Sequence, residues 1–125
     1  MAYRSFEDLE VWKRSCRLAV EICQTVSGWR EFWLRDQMQR AAVSVPSNIA
    51  EGAERDSRMD YARFLRIAKG SAAELRTQCY ISARLTLLDR ETSDRFVREC
   101  AEIGRMLQGL IRSLREQSPR SSLET

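Results

Sequence analysis

The sequence predicts an all-α fold, an antiparallel up-down-up-down four-helix bundle formed as a single domain by residues 1–115. First, apolar residues recur at steps of three and four along four segments, which is the period of an amphipathic helix. Second, the segments are separated by short polar connections, which favour antiparallel neighbours. Third, the 125 residues include only 5 Gly and 2 Pro, and no segment alternates with period two for long enough to indicate a strand.

Helix one is predicted from about residue 6 to residue 27. Ser5 and Asp8 resemble a capping box at its start, and Gly28 is placed to end it. The predicted core seam of this helix consists of Leu9, Trp12, Cys16, Ala19, Cys23 and Val26.

Helix two continues the same rhythm, and we expect it to be kinked near Pro46. Proline lacks a backbone N–H and clashes with the preceding turn, which bends a helix. Gly52 and the polar residues after it are predicted to close the helix. Its predicted seam consists of Leu34, Met38, Ala41, Val45 and Ile49.

Helix three is predicted to begin after a second capping box at Ser57 and to end near Leu88. Helix four is expected to be capped by Thr92 or Ser93. Residues 116–125 form a polar tail without a seam, which we expect to be disordered. The seam of helix three is Tyr61, Phe64, Leu65, Ala68, Ala72, Leu75, Cys79 and Ser82, and that of helix four is Phe96, Cys100, Ile103, Leu107, Leu110 and Leu114.

The composition argues against the common kinds of enzyme. There is no His, so a Ser-His-Asp or Cys-His arrangement and a Glu-x-x-His di-metal site are excluded. Neither a GxxxxGK[ST] nor a GxGxxG motif is present, and no CxxC pair occurs. We therefore expect no catalytic, metal or cofactor-binding residue and no small-molecule substrate.

The N-terminal residues lack the apolar segment of a signal peptide, and no apolar run approaches the ~20 residues of a membrane span. The four cysteines fall within helical apolar patterns, where a free thiol behaves as a small hydrophobe. These observations predict a reduced cytoplasmic protein that is not attached to a membrane.

The outward face of helix three combines small residues with bases. Gly70, Ala73 and Thr77 form a flat strip that ends at Tyr80, and such a strip lets another backbone approach closely. The strip is either a contact between subunits, a basic surface for phosphates, or an ordinary solvated face.

Basic side chains give a second hypothesis, which is binding of RNA or DNA. The formal net charge is only +3, so one chain alone lacks the strong field of a dedicated nucleic-acid-binding protein. Repetition around an oligomer would multiply that charge. The candidate residues for nucleic-acid binding are Arg40, Arg55, Arg63, Arg66 and Lys69.

Two further clusters have both a structural and a functional interpretation. Ser44, Ser47, Asn48 and Glu51 follow one stripe of helix two beside the core, as a buried hydrogen-bond network or as a ligand site. Aromatic residues and arginines alternate in the first connection, where they either cap the open end of the bundle or stack on bases. That connection contains Trp29, Arg30, Phe32, Trp33 and Arg35.

Three stretches, residues 6–13, 37–52 and 64–75, resemble the four-helix-bundle proteins encoded by intervening sequences in bacterial 23S ribosomal RNA genes. The longest motif, Arg-Ala-Ala-Val-Ser-Val-Pro-Ser-Asn-Ile-Ala-Glu-Gly, occupies residues 40–52. The resemblance implies a homo-oligomer, in the form of a pentameric ring, without an established molecular activity. A weaker similarity links the family to accessory proteins of diversity-generating retroelements.

Overall fold

The structure is a computed structural model that describes residues 5–117, and it confirms the all-α four-helix bundle. A short 3-10 helix, Phe6–Asp8, precedes the bundle, and no strand occurs in the described part of the chain. Residues 118–125 of the predicted tail lie outside the described residues. The four long helices are α1 (Glu10–Val26), α2 (Phe32–Ala53), α3 (Arg58–Arg84) and α4 (Arg90–Glu116).

Each helix packs against its neighbours in sequence, and α1 closes the bundle against α4 through the least extensive of the four contacts. Two hydrogen bonds between α3 and α4 show the relative direction of these helices. Lys69 donates to Gln108, whereas the carbonyl of Cys79, further along α3, accepts from Ser93, nearer the start of α4. The two helices are therefore antiparallel, as the short connection between them predicts.

The predicted core seam is confirmed for α2 and largely confirmed for α3 and α4. All five seam residues of α2 are buried, and in α3 only Tyr61 of the predicted set is half-buried. In the last turns of α4, Ile111 is buried, whereas Leu110 and Leu114 are half-buried against the core. Burial of these apolar side chains is the main favourable contribution to folding.

The predicted seam of α1 is confirmed only in part: Ala19 and Val26 are buried and Trp12 packs against the core, but the buried face also includes the neighbouring side of the helix. Cys16 and Cys23 are half-buried, and Leu9 precedes the helix. Ser15 lies within the core instead, since its hydroxyl donates to the carbonyl of Trp12 at 3.0 Å and so needs no partner from another helix. The buried residues of α1 are Val11, Ser15, Leu18, Ala19, Ile22 and Val26.

The start of the bundle differs from the predicted capping box. The Ser5 hydroxyl accepts from the backbone N–H of Glu7 and caps only the 3-10 turn. Leu9 is extended, so α1 begins at Glu10 rather than near residue 6. Gly28 does not adopt a positive φ, and α1 ends at Val26 followed by Ser27.

The other helix ends follow the prediction only in part. Ser57 caps α3, as predicted, by accepting from the N–H of Asp60 at 3.0 Å. α3 ends at Arg84 rather than near Leu88, and Thr86 just beyond it has a φ of 61°, which is incompatible with a continuing helix. Asp89, rather than Thr92 or Ser93, caps α4 by accepting from the N–H of Thr92.

α2 continues through Pro46 as one helix, and Pro46 is buried. The expected kink of α2 at Pro46 stays a prediction. Gly52 lies in the last turn of α2, which ends at Ala53 as predicted, and it also lies directly against α3. A Cβ atom at Gly52 would lie 2.7 Å from the Cβ of Phe64 and 3.2 Å from the carbonyl oxygen of Tyr61.

Candidate functional site

The predicted strip on α3 is exposed along its whole length. Gly70, Ala73, Thr77 and Tyr80 are all at the surface, and the side chain of Tyr80 is 55% exposed. A Cβ atom at Gly70 would meet nothing within 4 Å, so packing within one chain does not require glycine there. The Thr77 hydroxyl donates to the carbonyl of Ala73 in its own helix, which leaves this face without bonds to other helices.

Large aliphatic side chains lie on the same face of α3. Ile67 and Ile81 are each 42% exposed, and Leu85, directly after the helix, is 48% exposed. At about 100° per residue these three residues fall within an arc of about 40°, outside the core face and beside it. This group of exposed aliphatic residues could have been found from the sequence, because all three fall on one side of a helical wheel, outside the core seam.

The structure divides the predicted strip between two neighbouring surfaces. Gly70 and Thr77 lie beside the three outward aliphatic residues. Ala73 and Tyr80 instead line grooves between α3 and α4. We call Ile67, Gly70, Thr77, Ile81 and Leu85 the outer α3 face.

The predicted nucleic-acid-binding residues are not brought together as one patch. Arg55 pairs with Glu51 at 3.0 Å and Arg63 with Asp60 at 3.6 Å. Both guanidinium groups also lie over the ring of Phe64, each 4.7 Å from its centroid. These contacts give Arg55 and Arg63 a structural role at the corner between α2 and α3.

The remaining predicted bases occupy two different sides of the bundle. Arg40 is exposed on the outer side of α2, and Arg66 is exposed near α4. Neither makes an ion pair with any residue between 5 and 117. Lys69 donates to the side-chain oxygen of Gln108 at 2.6 Å, which directs it across the surface to α4.

The structure also divides the polar stripe of α2, into two residues that form a hydrogen-bond network and two that are exposed. The hydroxyl oxygens of Ser44 and Ser71 lie 2.8 Å apart, and Asn48 donates to both the hydroxyl and the carbonyl of Ser44. Ser47 and Glu51 are exposed and lie outside this hydrogen-bond network. Ser71, the partner on α3, could not be identified from the spacing along α2 alone.

The aromatic residues of the first connection do not act as one group. Trp29 is half-buried and packs against the core, as a residue capping the bundle would. Phe32 and Trp33 are each 59% exposed, and the guanidinium of Arg35 lies over the Phe32 ring at 4.7 Å. Only Trp29 therefore occupies the predicted capping position.

Titratable groups are perturbed at the core and between α1 and α4. Burial raises the pKa of the Cys79 and Cys100 thiols to about 12. Arg14 of α1 donates two hydrogen bonds to the Glu99 carboxylate of α4, at 2.6 and 2.9 Å, and this lowers the pKa of Glu99. No group of three or more potential metal ligands occurs among residues 5–117.

The geometry thus defines a four-helix-bundle protein whose candidate functional residues lie on helix surfaces. No helix in the described region is both long and apolar enough to cross a bilayer. Residues 7–109 match the family model of the 23S rRNA-intervening sequence protein. The chain belongs to this family, as the resemblance of its three motifs predicts.

A crystal structure of a protein with unknown function from the S23 ribosomal protein family of Bacteroides thetaiotaomicron is similar to this chain. The two are 28% identical and superpose with a TM-score of 0.76 over 81% of this chain and 97% of the other. No curated protein matches the chain. The similarity to accessory proteins of diversity-generating retroelements stays a prediction.

Proposed function

We propose that the protein is a non-enzymatic cytoplasmic building block that assembles with copies of itself through the outer α3 face. The observation that carries this proposal is the distribution of exposed apolar side chains. Three of the large ones in the described chain lie together on this face: Ile67, Ile81 and Leu85. Exposed aliphatic residues beside a small residue such as Gly70 favour close packing of another subunit.

The proposed assembly is a closed ring, in which the outer α3 face meets a different face of the next subunit. Five subunits follow from the family resemblance. All four cysteines are free thiols, which agrees with a reducing compartment. The proposal needs no cofactor, metal or small-molecule substrate.

The substitution Ile81→Arg tests this assembly. An arginine there would place a charge within an apolar contact, so the assembly should dissociate. Light scattering coupled to size-exclusion chromatography should show the mass falling from about five times to about once the 14.5 kDa of one chain. The control Gln24→Arg adds the same side chain at an exposed polar position of α1 and should leave the mass unchanged. A wild-type monomer would contradict the proposal.

Nucleic-acid binding is the second candidate function. The observation that favours it is that bases from α3 and α4 line the same grooves, among them Arg66 and Lys69. The formal charge of +3 on one chain would be repeated in every subunit of a ring. The ratio of absorbance at 260 and 280 nm across the chromatographic peak tests whether the protein copurifies with nucleic acid.

A further inference from the structure

A succession of basic grooves follows the outer seam between α3 and α4. The first lies where α3 begins and α4 ends. Arg58 and Arg66 of α3 face Arg115 of α4 across a concave space of about 260 Å³. No acidic side chain lines this groove. Met59 is 81% exposed beside it, so an apolar surface lies next to the three guanidinium groups.

The next groove along the seam has basic rims and a floor of small residues. Lys69 and Arg76 of α3 lie on one side, and Arg105 of α4 lies on the other. A floor without long side chains lets a flat group approach the two backbones closely. The floor consists of Ala72, Ala73, Ala101 and Gly104.

Tyr80 connects the middle of the seam to its far end. Its exposed ring lines two successive grooves, one shared with Arg76 and Arg98 and the other with Arg84 and Arg90. An exposed tyrosine between guanidinium groups offers both a flat surface for stacking and cations beside it.

The acids along the seam do not neutralise these bases. Glu99 and Glu102 line the middle groove, but they pair with Arg14 at 2.6 Å and with Arg105 at 2.7 Å, and Asp94 lines the groove at the far end. Arg76 and Arg98 make no ion pair with any residue between 5 and 117. The seam therefore carries excess positive charge that a polyanion could neutralise.

We infer that this α3–α4 seam, the basic groove, binds a single-stranded nucleic acid. The arginines contact phosphates, and at least one base stacks on Tyr80. The 27 residues of α3 span about 40 Å, and single-strand sites of about 4–16 nucleotides are common. A duplex has no unpaired base to stack on Tyr80, so the seam favours a single strand. The inference rests on the second candidate function and is independent of ring assembly.

The groove favours nucleic acid over an acidic protein segment for two reasons. The bases continue along the whole seam, which matches a ligand with one charge in every repeat unit. The exposed Tyr80 ring beside a shallow, small-residue floor suits a planar base better than a branched side chain. Of the bases predicted from the sequence, Arg66 and Lys69 line this groove, whereas Arg40, Arg55 and Arg63 do not.

The double variant Arg76→Gln/Arg98→Gln tests the groove. Fluorescence anisotropy with a labelled oligouridine of about ten nucleotides, within the usual range of single-strand sites, gives Kd for the full chain at several salt concentrations. We expect Kd to rise about tenfold or more at low salt. The slope of log K against log salt should become shallower by about 1.4, since each single-strand phosphate contact contributes about 0.7.

The matched control is Arg30→Gln/Arg40→Gln. It removes the same charge from two exposed arginines of the first connection and α2, neither of which makes an ion pair in the described structure. Its Kd should rise much less than that of the groove variant, because these two arginines do not line the groove, and the remaining long-range effect should disappear as salt is added. An equal rise in Kd for both double variants would contradict binding in the groove and would indicate general attraction between the protein's positive charge and the oligonucleotide.

Tyr80 gives an independent test, since stacking does not release counterions. Tyr80→Ala should raise Kd about tenfold without changing the slope of log K against log salt. Tyr80→Phe keeps an aromatic ring and should bind as tightly as the wild type. Equal binding of Tyr80→Ala and wild type would contradict the stacking role. Failure of the wild type to bind at low salt, or equal binding of a duplex or of polyglutamate, would overturn the proposal.

Light scattering on each variant separates the basic groove from the assembly. A loss of binding at the wild-type mass supports the groove, whereas losses only in variants that also dissociate overturn it. Ile81→Arg should still bind the oligouridine, because Ile81 lines none of these grooves. Failure of the ring and failure of the groove are therefore distinguishable.

Discussion

Two glycines show how differently the same residue type is used in this protein. From the sequence, Gly52 is placed to end helix two and Gly70 to permit a close helix contact. In the structure the close contact is at Gly52, where Phe64 and Tyr61 of α3 leave no room for a side chain. Gly70 faces open space within one chain. The spacing of residues along one helix cannot show which partner helix lies opposite, so the close contact at Gly52 could not be predicted from it.

The substitutions Gly52→Ala and Gly70→Ala should change stability in opposite directions. At Gly52 the added methyl group would force α2 and α3 apart, which should lower the free energy of unfolding by about 1–3 kcal/mol. At Gly70 the higher helix propensity of alanine should raise it by up to about 1 kcal/mol. Urea unfolding of both variants measures the two effects. A neutral Gly52→Ala variant would contradict the close approach of the two helices.

The seams of α1 and α2 show what helical periodicity can and cannot predict. In α2 all five residues selected by the spacing are buried, and Ala42, Pro46 and Gly52 are buried beside them. In α1 apolar residues cover two adjacent faces, and Ser15 interrupts the face that is buried. A search for uninterrupted apolar spacing therefore misses part of the buried face of α1. The serine on that face can be buried because its hydroxyl donates to a carbonyl of its own helix.

The ion pair between Arg14 and Glu99 joins α1 to α4 and should make stability depend on pH. Its hydrogen bonds lower the pKa of Glu99 below the ordinary value of 4.5 in the folded protein. The pair therefore contributes stability above pH 4.5, and this contribution is lost as the pH falls through the folded-state pKa. We expect Glu99→Gln to lower the free energy of unfolding by about 1 kcal/mol at pH 7 and to flatten its decrease in acid.

Urea unfolding of wild type and variant at neutral and acidic pH measures this effect. The control Glu102→Gln removes a partner of Arg105 within α4 itself, so it should change stability less than Glu99→Gln. A pH dependence that is the same in Glu99→Gln and in the wild type would assign the acid sensitivity to other carboxylates.

For the whole molecule, the sequence predicted the architecture better than the surface. The bundle follows from patterns within each helix, and these are visible in one dimension. The basic groove requires the bases of α3 and α4 to be placed side by side, and their antiparallel register is set only by packing. Arg66 and Lys69 were found from α3 alone, whereas Arg98, Arg105 and Arg115 become relevant only once α4 lies beside them.

The buried thiols should report opening of the whole bundle. Because burial raises the pKa of Cys79 and Cys100 to about 12, almost no thiolate is present at neutral pH, and alkylation requires unfolding. Mass spectrometry after a pulse of iodoacetamide should find these two cysteines modified only near the urea transition. The half-buried Cys16 and Cys23 should react earlier. Rapid labelling of Cys79 or Cys100 in native buffer would contradict a closed core around these two residues of α3 and α4.

The order of helix contacts has a consequence for how the chain reaches its native state. Three of the four helix contacts join elements that are consecutive in sequence, and only the least extensive one, between α1 and α4, joins distant segments. Little loop-closure entropy then opposes the early steps of folding, and helical proteins with such local contacts fold in microseconds to milliseconds. We expect docking of α1 against α4 to be the last step, because it joins the two helices that are furthest apart in sequence.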